Sequence, residues 1–289
     1  MNNKRLPAAT LALLLSLSFV KAQSWELGLF LGTSFYDGEI APLTQMDYLK
    51  TIRPAGGLYV RGQWMDRLAL RLQISQAQIM GDDQIAGRTR NLSFTSPLTE
   101  AALIGEINIF RFSPGNKQHR WTPYLYGGPA VFRFDPRTQL QGETVRLQPV
   151  GTEGQGLPGY DKKYTLTQLS LVGGGGIKIA FGTRWSLGME LGARKTFTDH
   201  LDDMGSPKYA NLKELSEGNG LLAVQLAHRA WEIRGDGDPT VTYPEGQHRA
   251  GPAKDWYYLG GITLGYSFGG NRGGWHGGKK SRFGCPSNF

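Results

Sequence analysis

The stretch DWYYLGGITLGYSF occupies residues 255–268, and every second position in it carries a large apolar or a small side chain. The alternating set is Trp256, Tyr258, Gly260, Ile262, Leu264, Tyr266 and Phe268. A period of two residues predicts a β-strand with one apolar face. An aromatic residue at the end of such a strand is typical of the strand that closes a membrane β-barrel. This stretch therefore leads to the hypothesis that the chain forms a membrane β-barrel.

Seven further stretches alternate in the same way. The eight predicted strands cover residues 25–34, 54–64, 67–76, 98–112, 121–132, 166–181, 185–196 and 255–268. Their connections are alternately long and short. The long ones are residues 36–53, 81–97, 134–165 and 197–254, and the short ones are residues 65–66, 113–120 and 182–184.

Short turns at one end and long loops at the other are the pattern of outer-membrane β-barrels. We therefore predict an all-β fold, an eight-stranded antiparallel transmembrane β-barrel with long extracellular loops and short periplasmic turns, over residues 23–268. An even number of strands places both chain ends on the periplasmic side. The alternative is a soluble barrel of the lipocalin type, which turns its apolar face inward around a ligand.

The first 22 residues are expected to be a signal peptide. Lys4 and Arg5 precede an apolar run over residues 6–20, and Val20 and Ala22 are small residues at the −3 and −1 positions of a cleavage site. The mature chain is therefore expected to leave the cytoplasm. No later run of about 18 apolar residues follows, which argues against a transmembrane helix.

The positive charge is concentrated at the C-terminus. The formal net charge of +8 falls to +5 without the signal peptide, because 29 basic and 24 acidic residues remain. Residues 269–289 have no acidic residue and hold four basic ones, namely Arg272, Lys279, Lys280 and Arg282. Nucleic-acid-binding proteins spread basic residues over a folded face, whereas this segment is glycine-rich and is expected to be an unfolded periplasmic tail. We expect no nucleic-acid partner, and the tail either binds a protein partner or only aids solubility.

The tail also contains Cys285, the only cysteine of the chain. In an oxidising compartment a single cysteine is either a free thiol or half of an intermolecular disulfide.

Four acidic and four basic residues alternate with the apolar residues of the predicted strands. They are Glu26, Arg61, Arg71, Glu100, Glu106, Lys178, Glu190 and Arg194. An eight-stranded barrel has room inside only for side chains, and buried charges must be paired. The sequence therefore predicts an ionic core that plugs the lumen, unless some of these residues lie near the rims in water.

The longest loop contains a helical pattern. Asn219 precedes an apolar stripe of Leu221, Leu222, Ala223, Leu226, Ala227 and Trp231, which predicts a helix capped by Asn219. This helix either packs on the barrel mouth or binds an extracellular or secreted partner.

Motifs for catalysis and metal binding are weak. GYSFG at residues 265–269 matches G-x-S-x-G, but that motif needs a strand, a turn and a helix around its serine. Asp199, Asp202 and Asp203 cluster after the seventh strand without the spacing of a calcium-binding EF-hand. We therefore expect no enzymatic activity, no cofactor and no metal, with a barrel enzyme as a rival hypothesis.

Several longer segments carry a family resemblance. They are WELGLFLGTSFYDGEI at residues 25–40, RNLSF at 90–94, EINIFRF at 106–112, WTPYLYGGPAVFRFDP at 121–136, GTEGQG at 151–156, ELGARKTFTDHLDD at 190–203, DWYYLGGITLGYSF at 255–268 and the pair Cys285-Pro286. Taken together, they resemble the PorG family of outer-membrane proteins, which belongs to the type IX secretion system of Bacteroidota. The chain departs from that pattern in its very glycine-rich tail and at His200, where an aromatic residue is expected.

The resemblance implies a narrow, non-enzymatic barrel that is not the protein-conducting pore and that also serves gliding motility in some members. It implies contact with outer-membrane lipids and with a periplasmic ring built from a PorK-like lipoprotein and a PorN-like subunit. By this analogy the basic tail binds the ring, and Cys285 forms a disulfide with the ring lipoprotein. The alternative is a stand-alone barrel that acts as an adhesin or receptor through its extracellular loops.

Overall fold

A computed structural model describes residues 24–268 except 236, 242 and 252. The strands are β1 (Ser24–Asp37), β2 (Arg53–Met65), β3 (Leu68–Asp82), β4 (Ser93–Asn108), β5 (Trp121–Phe134), β6 (Arg137–Leu140), β7 (Glu143–Arg146), β8 (Thr167–Phe181), β9 (Trp185–Thr196) and β10 (Trp256–Phe268). The helices are α1 (Gln45–Thr51), α2 (Leu147–Val150), α3 (Leu212–Gly218), α4 (Leu221–Ala227) and α5 (Ala230–Arg234). The predicted signal peptide and C-terminal tail lie outside the described residues.

Eight of the strands close into an antiparallel barrel, in the order β1-β2-β3-β4-β5-β8-β9-β10. The first and last strands complete the circle, with Trp25 opposite Phe268 and Asp37 opposite Trp256. The prediction of an eight-stranded, antiparallel, nearly all-β barrel is therefore confirmed. In the described part of the chain, none of the helices combines the length and the apolar character that a membrane crossing requires.

The barrel is apolar outside and polar inside. Leu31 on the outer face is 67 % exposed, whereas Arg71 on the inner face is 0 % exposed. The outward band consists of aliphatic side chains from every barrel strand, among them Leu29, Leu58, Leu72, Leu103, Leu125, Leu169, Met189 and Ile262. This arrangement is the reverse of a lipocalin, and burying the band in lipid removes a large apolar surface from water.

Aromatic side chains border this band at both ends. We call the end formed by residues 66–67, 109–120 and 182–184 the turn end, and the end formed by residues 38–52, 83–92, 135–166 and 197–255 the loop end. Outward-facing aromatic residues at the turn end are Trp25, Phe110, Trp121, Phe181, Trp185, Tyr266 and Phe268. Phe35 and Tyr258 stack at the loop end with ring centroids 4.6 Å apart. Two such girdles are characteristic of membrane-spanning β-barrels.

Several predicted boundaries need correction at the loop end. Strand β3 continues to Asp82 rather than ending at residue 76, and β4 begins at Ser93 rather than at residue 98. The pairing of these two strands continues to Asp82 and Ser93, so the β3–β4 pair extends beyond the other strands at the loop end. At its other end β4 stops at Asn108, because Phe112 turns inward and its backbone N–H donates to the carbonyl of Asp66.

Part of the predicted loop 134–165 is a β-hairpin, β6–β7. The two strands are joined by Gln141 and Gly142, with φ of 52° and 87°. Both residues have positive φ, as a tight two-residue hairpin turn requires, and glycine suits its second position. The four-residue strands are too short and polar to stand out by alternation.

Candidate functional site

Glu106 on β4 is the centre of a buried ionic network inside the barrel. Arg61 Nε donates to its Oε1 at 3.0 Å, and Lys178 Nζ donates to its Oε2 at 2.8 Å. Arg71 Nε lies 3.3 Å from Oε1 but is not aligned for a hydrogen bond. One carboxylate thus joins β4 to β2, β3 and β8.

The other predicted lumen charges extend this network around the barrel. Arg61 Nη1 lies 2.6 Å from Glu26 Oε1. Arg71 binds both oxygens of Glu190, at 2.8 and 3.2 Å, across the full width of the lumen, since β3 and β9 are four positions apart in the cycle of eight. Arg194 binds both oxygens of Glu100, at 3.2 and 3.3 Å. Planar, two-bond pairs of this kind fix geometry as well as charge.

Tyrosine hydroxyls supply further donors to the same carboxylates. Tyr59 donates to Glu26 at 2.8 Å, Tyr257 donates to Glu100 at 2.6 Å, and Tyr124 donates to Glu190. The ring of Tyr59 lies over Gly28, where any Cβ would overlap it. A glycine at this position therefore makes room for the tyrosine that bonds Glu26.

The structure thus brings together all eight residues that the sequence places in the lumen. The four acidic and four basic side chains are each 6 % exposed or less, and their charges balance. An ionised group in such surroundings is tolerated only when it is paired. Their arrangement is suited to filling and bracing the barrel, with each group committed to a partner rather than available to a substrate.

Replacing Glu106 with glutamine tests the importance of this centre. Glu106→Gln keeps the side-chain shape but leaves Arg61, Lys178 and Arg71 without their shared counter-charge. We expect the free energy of unfolding to fall by about 3–5 kcal/mol, as for other broken buried ion pairs. Urea unfolding in lipid vesicles, followed by tryptophan fluorescence, measures it. Glu143→Gln on the exposed strand β7 is the matched control, and an equal effect of both variants would contradict this role.

The loop end is closed by a packed lid, which we define as residues 38–52, 83–92, 135–166 and 197–255. Apolar side chains of the lid, including Ile40, Leu147, Leu201, Met204 and Trp231, form one cluster with the upper barrel residues Phe30, Leu98, Phe132, Phe134, Tyr257 and Leu259. The interior therefore has two layers, a charged one toward the turn end and an apolar one beneath the lid.

Glu153 connects two of the lid segments. It lies in GTEGQG, and its Oε1 accepts hydrogen bonds from the backbone N–H of Gly205 at 3.1 Å and of Ser206 at 3.0 Å. The same oxygen accepts from Arg249 Nε at 2.9 Å. A buried carboxylate with a cation and two backbone donors is a stable junction. It holds the segments 135–166 and 197–255 together.

Arg90, in RNLSF, connects the remaining segments. Its guanidinium binds both carboxylate oxygens of Asp83, at 2.8 and 3.1 Å. It also donates to the backbone carbonyls of Glu39 at 3.0 Å and of Arg249 at 3.2 Å. The neighbouring Asn91 donates to the backbone carbonyl of Arg229 at 3.2 Å. Three segments that are distant in sequence therefore meet at one short motif.

A second group of carboxylates lies at the base of the lid. Glu39, Asp202 and Asp255 each offer an oxygen within 4.8 Å of the others, so these are the described residues that could hold a metal ion. The Tyr36 hydroxyl lies 2.7 Å from Asp202 and 3.0 Å from Asp255. It has one proton for two acceptors, so the second contact requires a proton on a carboxyl group. Burial raises the pKa of both aspartates, which favours that protonated form.

The three aspartates that the sequence groups together have different environments. Asp199 lies 3.6 Å from Lys254, Asp202 joins the carboxylate group, and Asp203 accepts hydrogen bonds from Thr152 and Tyr164. Sequence reasoning did not identify Glu39, Glu153, Arg90, Arg249 or Asp255 as site residues. Glu153 and Arg90 lie in the segments GTEGQG and RNLSF, but their partners are distant in sequence.

The helical prediction for the longest loop is partly correct. Three short helices are present rather than one, and Ala223, Leu226, Ala227 and Trp231 are buried while Leu221 is exposed. The predicted cap is wrong. Asn219 ends α3, where its backbone N–H donates to the carbonyl of Leu215, and α4 begins after Gly220. The positive φ of Gly220, 86°, separates the two helices.

The structure assigns no position to the predicted partner-binding residues of the tail. Cys285, Arg272, Lys279, Lys280 and Arg282 lie outside the described residues. What the structure does establish is where the tail starts, because Phe268 ends β10 at the turn end, beside the first residues of β1.

The fold, the outward apolar band and the ionic lumen define this protein as a small β-barrel of the outer-membrane type. A family model described as "Domain of unknown function (DUF6089)" matches residues 4–248. The chain belongs to the DUF6089 family. No curated protein matches it in sequence.

Solved structures resemble the chain in fold only. The N-terminal β-barrel domain of Pseudomonas aeruginosa OprF is 11 % identical, with a TM-score of 0.37, covering 86 % of this chain and 98 % of that one. Neisserial surface protein A is 8 % identical, with a TM-score of 0.42 and coverage of 84 % and 97 %. Ail of Yersinia pestis is 9 % identical, with a TM-score of 0.39 and coverage of 85 % and 98 %.

We expect the stability of the lid to vary with pH, and we expect Asp203 to cause much of this variation. Burial, and next the charge of Glu153, raise the pKa of Asp203 to about 7. Because its folded-state pKa lies above the ordinary value of 3.8, Asp203 stabilises the lid at low pH and loses this effect as pH rises through about 7. Relative to the intrinsic exchange rate at each pH, the loop amides should therefore be better protected at pH 5 than at pH 8, and Asp203→Asn, which mimics the neutral acid, should reduce that difference.

The comparison must be made between the wild type and the variant at each pH. Burial lowers the pKa of His200, whose protonation opposes folding as pH falls, so this histidine acts in the opposite direction. Asp161→Asn, at an exposed acid of the same lid, is the control. A pH dependence that is identical in wild type and Asp203→Asn would contradict the assignment.

Proposed function

We propose that this protein is a non-enzymatic outer-membrane anchor of the type IX secretion machinery, holding a periplasmic ring through its turn end and C-terminal tail. The observation that carries the proposal is the filled lumen. Eight paired charges occupy the interior of a barrel that has room only for side chains, so transport through the barrel is not its task. A barrel with a filled lumen interacts with partners through the surfaces at its two ends.

The position of the chain ends supports the choice of the turn end. Strand β1 begins and β10 finishes there, so the 21 residues after Phe268 leave the barrel beside the short turns. In outer-membrane barrels the short turns face the periplasm. In that orientation the tail, with Arg272, Lys279, Lys280 and Arg282, lies in the periplasm, and the lid lies outside the cell.

The identity of the partner rests on the resemblance to the PorG family. It implies a ring of a PorK-like lipoprotein and a PorN-like subunit, with roles in protein secretion and in gliding. By that analogy, Cys285 bonds covalently with the lipoprotein. Its thiol and a partner thiol would form an S–S bond and lose two protons and two electrons. A periplasmic thiol–disulfide oxidoreductase would take them up, and its own disulfide would be reduced to two thiols.

Removing the tail tests the anchor. A chain that ends at Phe268 should still insert and fold, because every described barrel strand is retained, but it should lose the ring in a pull-down from detergent-solubilised membranes. Cys285→Ser should remove only a higher-mass species on non-reducing gels. Replacing the four basic residues of the tail with glutamine keeps the length of the tail and removes its charge. This variant shows whether ring binding requires the charge.

Retention of the ring by the truncated chain would contradict the anchor. A full-length protein that recovers no ring at all would instead favour the second candidate, a stand-alone adhesin or receptor that acts through its lid. The observation in favour of that candidate is exposed apolar surface on the lid, where Leu221, Ile233 and Val241 are 53 %, 57 % and 70 % exposed. In that case, replacing these three residues should remove a partner on the outer surface, whereas removing the tail should not.

A further inference from the structure

The turn end presents an uncompensated basic surface. Residues 66–67, 109–120 and 182–184 include five basic side chains and only one acidic side chain, Asp66. We call Arg67, Arg111, Lys117, Arg120 and Arg184 the basic ring, and all five are exposed. The ion pairs found among the described residues lie in the lumen and the lid, and none of them includes a member of the basic ring.

The loop end has the opposite charge. The lid sequence contains 17 acidic and 13 basic residues, a net charge of −4, whereas the turn end has a net charge of +4 from five basic residues and one acidic residue. The two surfaces therefore have different preferences for charged neighbours. An anionic surface is attracted to the turn end and repelled by the loop end.

Three members of the basic ring are sequence neighbours of the aromatic girdle. Arg111 follows Phe110, Arg120 precedes Trp121, and Arg184 precedes Trp185. The rings of Phe110 and Trp121 meet edge to face with centroids 5.2 Å apart. Girdle aromatics lie at the level of the lipid headgroups, so these arginines are at the height of the lipid phosphates.

Arg184 shows how such a guanidinium is held. Its Nη1 donates to the Tyr266 hydroxyl at 2.6 Å, and its Cζ lies 5.8 Å from the centre of the Tyr266 ring. Tyr266 in turn packs edge to face on Trp185, with centroids 5.0 Å apart. Within the described part of residues 24–268, the other guanidinium N–H groups of Arg184 have no acceptor, and the fork of an arginine fits a phosphate at the membrane surface.

From these contacts we propose that the basic ring binds the phosphate groups of anionic phospholipids in the leaflet at the turn end. Two observations favour lipid over an acidic protein. The arginines are adjacent to outward-facing girdle residues, so their position is continuous with the lipid-facing band. Arg184 is also fixed by a girdle tyrosine rather than by a group on the end surface. The anionic lipid orients the barrel and secures the turn end.

Tryptophan quenching by brominated lipid measures this binding directly. The full-length mature protein is refolded into vesicles of phosphatidylcholine that contain a minor fraction of phosphatidylglycerol, with one or the other lipid brominated. Trp121 and Trp185 lie beside the basic ring and report the local lipid composition. We expect the wild type to enrich phosphatidylglycerol over phosphatidylcholine, and to lose the preference as salt rises.

The test variant is Arg111→Gln with Arg120→Gln and Arg184→Gln. Each removed charge is expected to reduce the preference roughly fivefold, so the triple variant should show almost none. The control is Lys208→Gln with Lys213→Gln and Arg234→Gln, which removes three exposed charges from the lid and should keep the preference.

Two outcomes would overturn the proposal. One is an undiminished phosphatidylglycerol preference in the turn-end triple variant. The other is an equal loss in the lid control, which would make the effect one of net charge alone. If the turn-end variant keeps its lipid preference but loses the periplasmic ring in a pull-down, the basic ring binds an acidic protein and the lipid proposal is wrong. The tail-deletion experiment is independent of all three results.

Discussion

The carboxylate of Glu106 is the contact on which the rest of the barrel interior depends. It lies within 3.3 Å of nitrogen atoms from Arg61, Arg71 and Lys178, which come from three different strands. A slip of one residue in any of these strands would turn its charged side chain toward the lipid. The ionic network therefore specifies the register of the barrel as well as filling it, and a closed lumen and a unique fold have the same physical origin.

The barrel could be predicted from sequence, because alternation along each strand is a local signal. The eight lumen charges followed from the same alternation. The full length of β3 and the lid could not be predicted, since they depend on contacts between distant residues. Asp255 illustrates this, because it lies close to Asp202, and the Tyr36 hydroxyl, on the distant strand β1, contacts both carboxylates. The hairpin β6–β7 was missed because its four-residue strands are too short and polar to show alternation. The cap assigned to Asn219 was wrong because one asparagine can serve the end of one helix or the start of the next.

The two ends of the filled barrel differ in chemistry and, we propose, in task. The loop end is closed by a lid in which Arg90 and Glu153 join segments that are far apart in sequence. The turn end is basic, bordered by aromatic residues, and is where the tail begins. In the proposed function the tail binds the ring-shaped partner assembly in the periplasm. The five side chains of the basic ring bind the adjacent lipid leaflet. Both roles require a rigid barrel, which the ionic network supplies.

Paired charges close the barrel, and planar-bilayer recording measures this closure. The full-length mature protein, inserted at low density and shown to be folded, is held at both polarities in salt solution. Closure by the ionic network predicts no steady conductance above the bare bilayer. A steady, reproducible channel in the wild-type protein would show that water and ions pass the network around Glu106 and that the paired charges do not close the barrel.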